Sequence, residues 1–187
     1  VQLETVKVTT FDELQNKNLT LKSDRAVIFK SGAIHFIDQV EIKTMSGISH
    51  EIDTELLIVK DGQINSNRRI VYLGETAKII AEGMDMDLDR DIMNLNGEVQ
   101  ILQDTGATID TKDLLINQEG GVKKYVSKEP TVYRSNQNIV NADKGIDVDM
   151  NSKLTKLLGN VDILDVSGSS LKSYDSISYT HLTLPTS

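Results

Sequence analysis

Three segments of the chain align without gaps: residues 36–43 (FIDQVEIK), 95–102 (LNGEVQIL) and 157–164 (LLGNVDIL). Each holds a small or turn-forming residue, Asp38, Gly97 or Gly159, followed by a Val-x-Ile pair. These three positions are 59 and then 62 residues apart, and a second series, Gly47, Gly106 and Gly168, keeps the same two intervals. Ser66 and Ser127 are 61 apart, as are Tyr72 and Tyr133, while Gly83 and Gly145 are 62 apart. A fixed period of this length means that one supersecondary unit is stacked on copies of itself, each burying its apolar face only against its neighbours. About three such units of roughly 60 residues are expected.

Within each unit the period is two. Met84 and Met86 alternate with Asp85 and Asp87, Val99 and Ile101 with Gln100, and Ile146 and Val148 with Asp147 and Asp149. That is the pattern of strands with one buried and one wet face. Turn signals recur at Lys30-Ser-Gly32, Met45-Ser-Gly47, Lys60-Asp-Gly62, Asp104-Thr-Gly106, Glu119-Gly-Gly121 and Val166-Ser-Gly168. Short strands at regular spacing predict an all-β sandwich, barrel or stacked roll. No proline precedes Pro130, so the backbone can donate along a long ladder. Each repeat reads as four strands, the third of them at residues 107–117 in the middle copy. A short helix near residues 12–15 is the one competing signal.

Charge and residue inventory exclude several function classes. There are 28 acidic against 20 basic residues, a net charge of −8. Nucleic-acid binding needs a basic face, so no nucleic-acid partner is expected. There is no cysteine and hence no thiolate chemistry or disulfide framework. His35 and His50 have no metal-ligand spacing. The run Asp85-x-Asp87-x-Asp89-x-Asp91 imitates a calcium loop, but Arg90 stands where glycine is required and Asn96 where the closing carboxylate belongs. Its alternation with Met84, Met86 and Leu88 reads instead as a strand with a solvated acidic face. No nucleophile elbow or phosphate loop is present. Catalytic residues, metal and cofactor are therefore expected to be absent.

What remains is an apolar stripe that includes Ile28, Leu56, Ile58, Ile64, Ile70, Tyr72, Leu95, Ile109, Leu114 and Val132. It reads either as a dry sandwich core or as the wall of an open roll that holds alkyl chains. Only 3 Phe and no Trp occur, so few bulky plugs would obstruct such a wall. The residues themselves leave both readings open.

Residues 77–102, with IIAEGMDMD followed by LNGEVQI, resemble the periplasmic bridge proteins of lipopolysaccharide transport, the OstA-like LptA/LptC family. Residues 139–164, with NAD, DVD and LGNVDI, are similar to the same motif in its LptA form. The stretch TTFDE at 9–13 and LKSDRA at 21–26 looks more like the start of the LptC form. The resemblance implies an open β-jellyroll, a V-shaped slab spanning residues 1–177. Lipid A acyl chains of lipopolysaccharide would lie against a groove wall of Val40, Ile42, Met84, Met86, Leu88, Val99, Ile101, Ile116, Ile146, Val148, Val161 and Ile163. It further implies docking to other jellyroll components of the bridge through terminal strand edges, and to an inner-membrane ABC transporter complex if the chain is LptC-like. The location implied is the periplasm, with an N-terminal membrane helix in the LptC form. Residues 178–187 (SYTHLTLPTS) resemble one reading frame of a sequencing-library adapter and are expected to be a non-native tail. The purely structural alternative is a β-solenoid or adhesin-like repeat without lipid cargo.

Overall fold

The computed structural model describes residues 1–11, 17–44, 50–74, 77–87, 90, 92–118, 124–149, 151–152, 154–174 and 176–179. The short helix expected near residues 12–15 lies outside these, as do the turns at 45–47 and 119–121. The described residues hold seventeen strands hydrogen-bonded into one antiparallel sheet, and no helix. They are β1 (Gln2–Phe11), β2 (Lys17–Ile28), β3 (Ile34–Thr44), β4 (His50–Lys60), β5 (Gln63–Ser66), β6 (Ile70–Leu73), β7 (Ala77–Asp87), β8 (Ile92–Gln103), β9 (Thr108–Asn117), β10 (Lys124–Ser127), β11 (Thr131–Arg134), β12 (Asn138–Ala142), β13 (Ile146–Asp149), β14 (Leu154–Leu157), β15 (Val161–Asp165), β16 (Ser170–Ser173) and β17 (Ile177–Tyr179). The chain is the all-β slab that the repeat pattern predicts, in the manner of a β-jellyroll.

Pairing reduces the seventeen strands to a simple meander. Strands β5 and β6 lie end to end between β4 and β7. The pairs β10/β11, β13/β12, β14/β15 and β17/β16 do the same in succession. The sheet therefore has twelve rungs, seven continuous and five broken. Four rungs make one sequence repeat, which is why the period is near 60.

Each break falls at the middle of its rung. The continuous rungs shift register there, between Lys22 and Arg25, Ile37 and Val40, Ala81 and Gly83, and Leu95 and Glu98. These bulges align into a crease that divides the sheet into two leaves. Leaf 1 carries β6, β11, β12, β15 and β16; leaf 2 carries β5, β10, β13, β14 and β17; continuous strands cross from one to the other. The first repeat marker is the crease itself. Asp38, Gly97 and Gly159 all have positive φ, at 63°, 75° and 81°. A Cβ at Gly97 would strike the Glu82 carboxylate, and one at Gly159 would strike Asp143. Those carboxylates accept from the next backbone N–H, Glu98 to Glu82 at 3.3 Å and Asn160 to Asp143 at 2.7 Å. The second marker closes hairpins, with Gly106 and Gly168 at φ 84° and 85°.

Alternation puts apolar side chains on one face of each leaf. On leaf 1 a cross-strand row runs through the rungs: Val8, Leu21, Ile42, Ile52, Tyr72, Ile79, Ile101, Ile109, Tyr133, Val140, Ile163 and Leu171. The neighbouring outward row is polar over much of its length, with Lys22, Glu41, Asp53, Gln100, Asp110, Asp162 and Lys172. Leaf 2 has its own row, from Ile34 and Val59 through Ile64, Met86, Met93, Ile116 and Tyr125 to Val148. The inner residues of both leaves form a single buried cluster. The leaves therefore cover each other, and burial of two apolar faces drives the slab together.

At the crease the leaves converge and the side chains shrink. Ala26, Ala81 and Ala142 lie there with buried hydroxyls of Thr54, Ser66, Thr111, Ser127 and Thr131. The hydroxyls satisfy one another: Thr54 Oγ1 is 3.2 Å from Ser66 Oγ, and Thr111 Oγ1 donates to Ser127 Oγ at 2.8 Å. Ser127 Oγ donates to the Lys112 carbonyl at 2.6 Å and accepts from Glu129 N–H. These bonds replace the backbone ladder where the broken rung leaves it.

The crease also corrects part of the expected stripe. Leu56, Ile58 and Val132 are half-buried on the outer side, and Leu57 and Val59 take the inner positions in β4. Ile52 and Thr54 face inward before the crease and Leu57 after it, so the parity of β4 flips. The extra residue is in β3, where Asp38 and Gln39 stand opposite Glu55 alone; Phe36, Val40 and Ile42 keep one parity in β3, and β4, one residue shorter across the crease, changes its own to stay paired with them.

Candidate functional site: the interior between the leaves

The expected wall residues divide between the leaves. Val40, Ile42, Val99, Ile101 and Val161 are buried on the inner face of leaf 1, with Ile163 half-buried beside them. Met84, Ile116, Ile146 and Val148 are buried on leaf 2, and Met86 is half-buried there. Leu88 lies outside the described residues. The structure adds wall residues that the period does not isolate, among them Ile52, Leu57, Ile79 and Tyr125. Leu57 belongs to the run Leu56-Leu57-Ile58-Val59, and Ile79 adjoins Ile80, so neither shows which of its neighbours turns inward. Only cross-strand pairing with Phe36 and Ile101 decides it.

The interior is tightly closed in its middle and unsealed at its ends. Ile42, Leu57, Met84, Leu95, Ile109 and Leu114 are at most 1% exposed. The same inner rows finish in open residues. Val8 on the first rung is 39% exposed, and Leu171 on the last is 61% exposed. Among the described residues β1 pairs only with β2, β16 only with β15 and β17 only with β14, so each terminal rung presents an unpaired backbone edge. The first edge is interrupted by Thr5 at φ 54°. The last rung is in two pieces, β16 and β17, with Tyr174 between them and 85% exposed. The ladder continues past Ile177, since Ser178 pairs with Lys156 and Tyr179 with Thr155.

Electrostatics divide the same way. Inside, burial pushes the Tyr72 hydroxyl well above its ordinary pKa, with a smaller push from Tyr125 on the opposite leaf; burial also raises Tyr125. Outside, hydrogen bonds from Lys43 and then Lys22 lower Glu41, at N···O distances of 2.5 and 3.0 Å. Asp53 beside them is raised by desolvation and by Glu51 and Glu41. Two clefts of about 410 and 430 Å³ flank the crease on this outer side and share Glu82. Their polar groups already pair, as Asn65 and Asn96 do with Asp85, each at 2.7 Å. Among the described residues no group of three metal-ligating side chains occurs, and no helix is long and apolar enough to cross a membrane.

An acidic exterior, a continuous apolar interior and two open ends together define a two-leaved β-roll. Residues 1–104 match the LptC-related lipopolysaccharide-assembly family, and the chain belongs to that family. It is thus involved in lipopolysaccharide transport. No curated protein matches the chain. The described residues beyond the match continue the same rungs, because β9 pairs onward to β10 and β11 as β4 pairs to β5 and β6.

Proposed function

We propose that the protein is a periplasmic carrier that holds the acyl chains of lipopolysaccharide between its leaves and passes the lipid from the inner toward the outer membrane. The observation that carries this reading is the unbroken inner row of leaf 1, which runs the whole length of the sheet and ends exposed at both terminal rungs. A sealed globular core would cap these ends. An apolar path that must continue into a neighbour would leave them open. The unpaired edges suit backbone pairing with other rolls of the same transport bridge, including an inner-membrane transporter complex. The protein is not an enzyme on this reading, and the energy for movement comes from its partners.

A photo-crosslinking residue at Met86 or Ile101 should capture lipopolysaccharide, and one at Asp87 or Gln100 should not. Equal labelling of inner and outer positions would reject the reading. The competing reading, a structural roll with a dry core, draws support from the near-zero exposure of the middle wall. It requires that no inner position crosslink lipid.

A further inference from the structure

We infer that the interior is a closed site that opens by pivoting of the two leaves about the crease, and that alkyl chains bind only in the open form. This rests on the carrier reading and adds how the site is reached. The wall is already packed against itself: Ile42 and Ile109 on leaf 1, and Met84 and Leu114 on leaf 2, are at most 1% exposed. No chain can lie between the leaves unless they separate by about 4 Å, one carbon–carbon contact layer.

The backbone shows where that separation costs least. Within each leaf, ladder pairing runs from rung to rung without a shift in β3, β7 and β8. At the crease the register of these same rungs is lost and five rungs are severed. The backbone there also adopts positive φ at residues other than glycine: Thr5, Asp38, Gln39 and Asp113. L side chains rarely adopt this conformation, and residues held in it cluster at ligand clamps and switch regions. The leaves are therefore stiff plates joined along a soft line. The buried bonds among Thr111, Ser127 and Thr131, and between Thr54 and Ser66, keep the plates from parting at that line.

The same geometry makes opening conditional on cargo. Opening alone would put both apolar walls in water, which the hydrophobic effect opposes. Opening around an alkyl chain exchanges wall-on-wall contact for wall-on-chain contact and exposes little. The lipid thus selects the open form by its differential affinity. Each leaf is about five residues deep, or about 17 Å at ~3.3 Å per residue. A chain layer about 4 Å thick at mid-depth becomes an opening of about 8 Å at the hairpins.

The chain has no cysteine, so paired nitroxide labels can be attached cleanly to it. One pair spans the leaves, Gln63→Cys on leaf 2 with Asp104→Cys on leaf 1. A second lies within leaf 1, Asp104→Cys with Gln137→Cys. All three positions are exposed. Purified lipopolysaccharide is added and its binding measured on the same samples by co-elution. The inter-leaf distance should lengthen by about 8 Å, the within-leaf distance should stay constant, and deacylated lipopolysaccharide should change neither. Bound lipid with an unchanged inter-leaf distance overturns the pivot while leaving the carrier reading intact. Lengthening of both pairs also overturns it, because the leaves would not be plates. Absence of any binding rejects the carrier reading, and the pivot with it.

Discussion

Replacing Gly97 by alanine tests the crease most directly. Gly97 sits at φ 75°, where an L residue costs about 1–2 kcal/mol. The new Cβ would also overlap the Glu82 carboxylate. That side chain is exposed and can swing away, but it would then release the Glu98 N–H it accepts at 3.3 Å. A net hydrogen bond to a charged group is worth about 1.5–3 kcal/mol when buried, and solvent at this exposed position reduces it to the order of 0.5–1 kcal/mol. The sum is about 1.5–3 kcal/mol for Gly97→Ala. In a chain of 187 residues this corresponds to a fall in Tm of about 3–12 °C. In a Glu82→Ala background the carboxylate overlap and the bond are already gone, and only the 3.0 Å approach to the Cβ of residue 82 remains, so the same change should cost little beyond the conformational part, about 1–2 kcal/mol. Urea unfolding of the four proteins, with unchanged slopes, closes the double-mutant cycle. Equal costs in both backgrounds would show that Glu82 does not cover the glycine. A cost near zero in the parent would show that the bend does not need it.

Three further outcomes follow from the same geometry. Ile109→Ala, at 0% exposure in mid-row, should cost about 2–5 kcal/mol, whereas Leu171→Ala at the open end should change chemical stability by less than about 0.5 kcal/mol; comparable losses would mean that the end is sealed. The raised pKa of Tyr72 and Tyr125 keeps both hydroxyls protonated in the folded slab after they ionise in the unfolded chain, so stability should be full below about pH 10 and fall above it. Denaturation midpoints between pH 8 and 11 should show that fall, reduced in Tyr72→Phe, and an equal fall in the variant would refute the assignment. Adjacent N–H groups in β16 point to opposite sides, so one of Leu171→Pro and Lys172→Pro should abolish concentration-dependent assembly in light scattering while leaving the fold largely intact; unchanged mass in both would exclude docking through this edge.

The strands and their repeat were legible because both are local or nearly so. Period-two alternation at Met84/Met86 and Val99/Ile101 reflects a pleat that any extended backbone adopts. The glycines at 106 and 168 mark hairpins that the chain closes within a few residues. The series Asp38, Gly97 and Gly159 was equally visible, but its meaning was not. A residue with positive φ can end a strand or bend one, and only the Leu95-to-Glu98 register shift against β9 shows the second. Ser66 and Ser127 likewise shared an offset whose reason, stapling a severed rung through Thr54 and Thr111, appears only once the strands are paired.

By itself, then, the sequence determined an acidic, all-β repeat with one dry and one wet face per strand, because those properties depend on residues within one or two positions of each other. Tertiary structure alone decided which face is inner beyond each bulge, as the exchange of Leu56 and Ile58 for Leu57 and Val59 shows. It also decided that the two leaves close on each other in the middle and remain open at Val8 and Leu171. Both are outcomes of register between strands and of contact between leaves, and a one-residue slip in either reverses every side chain that follows.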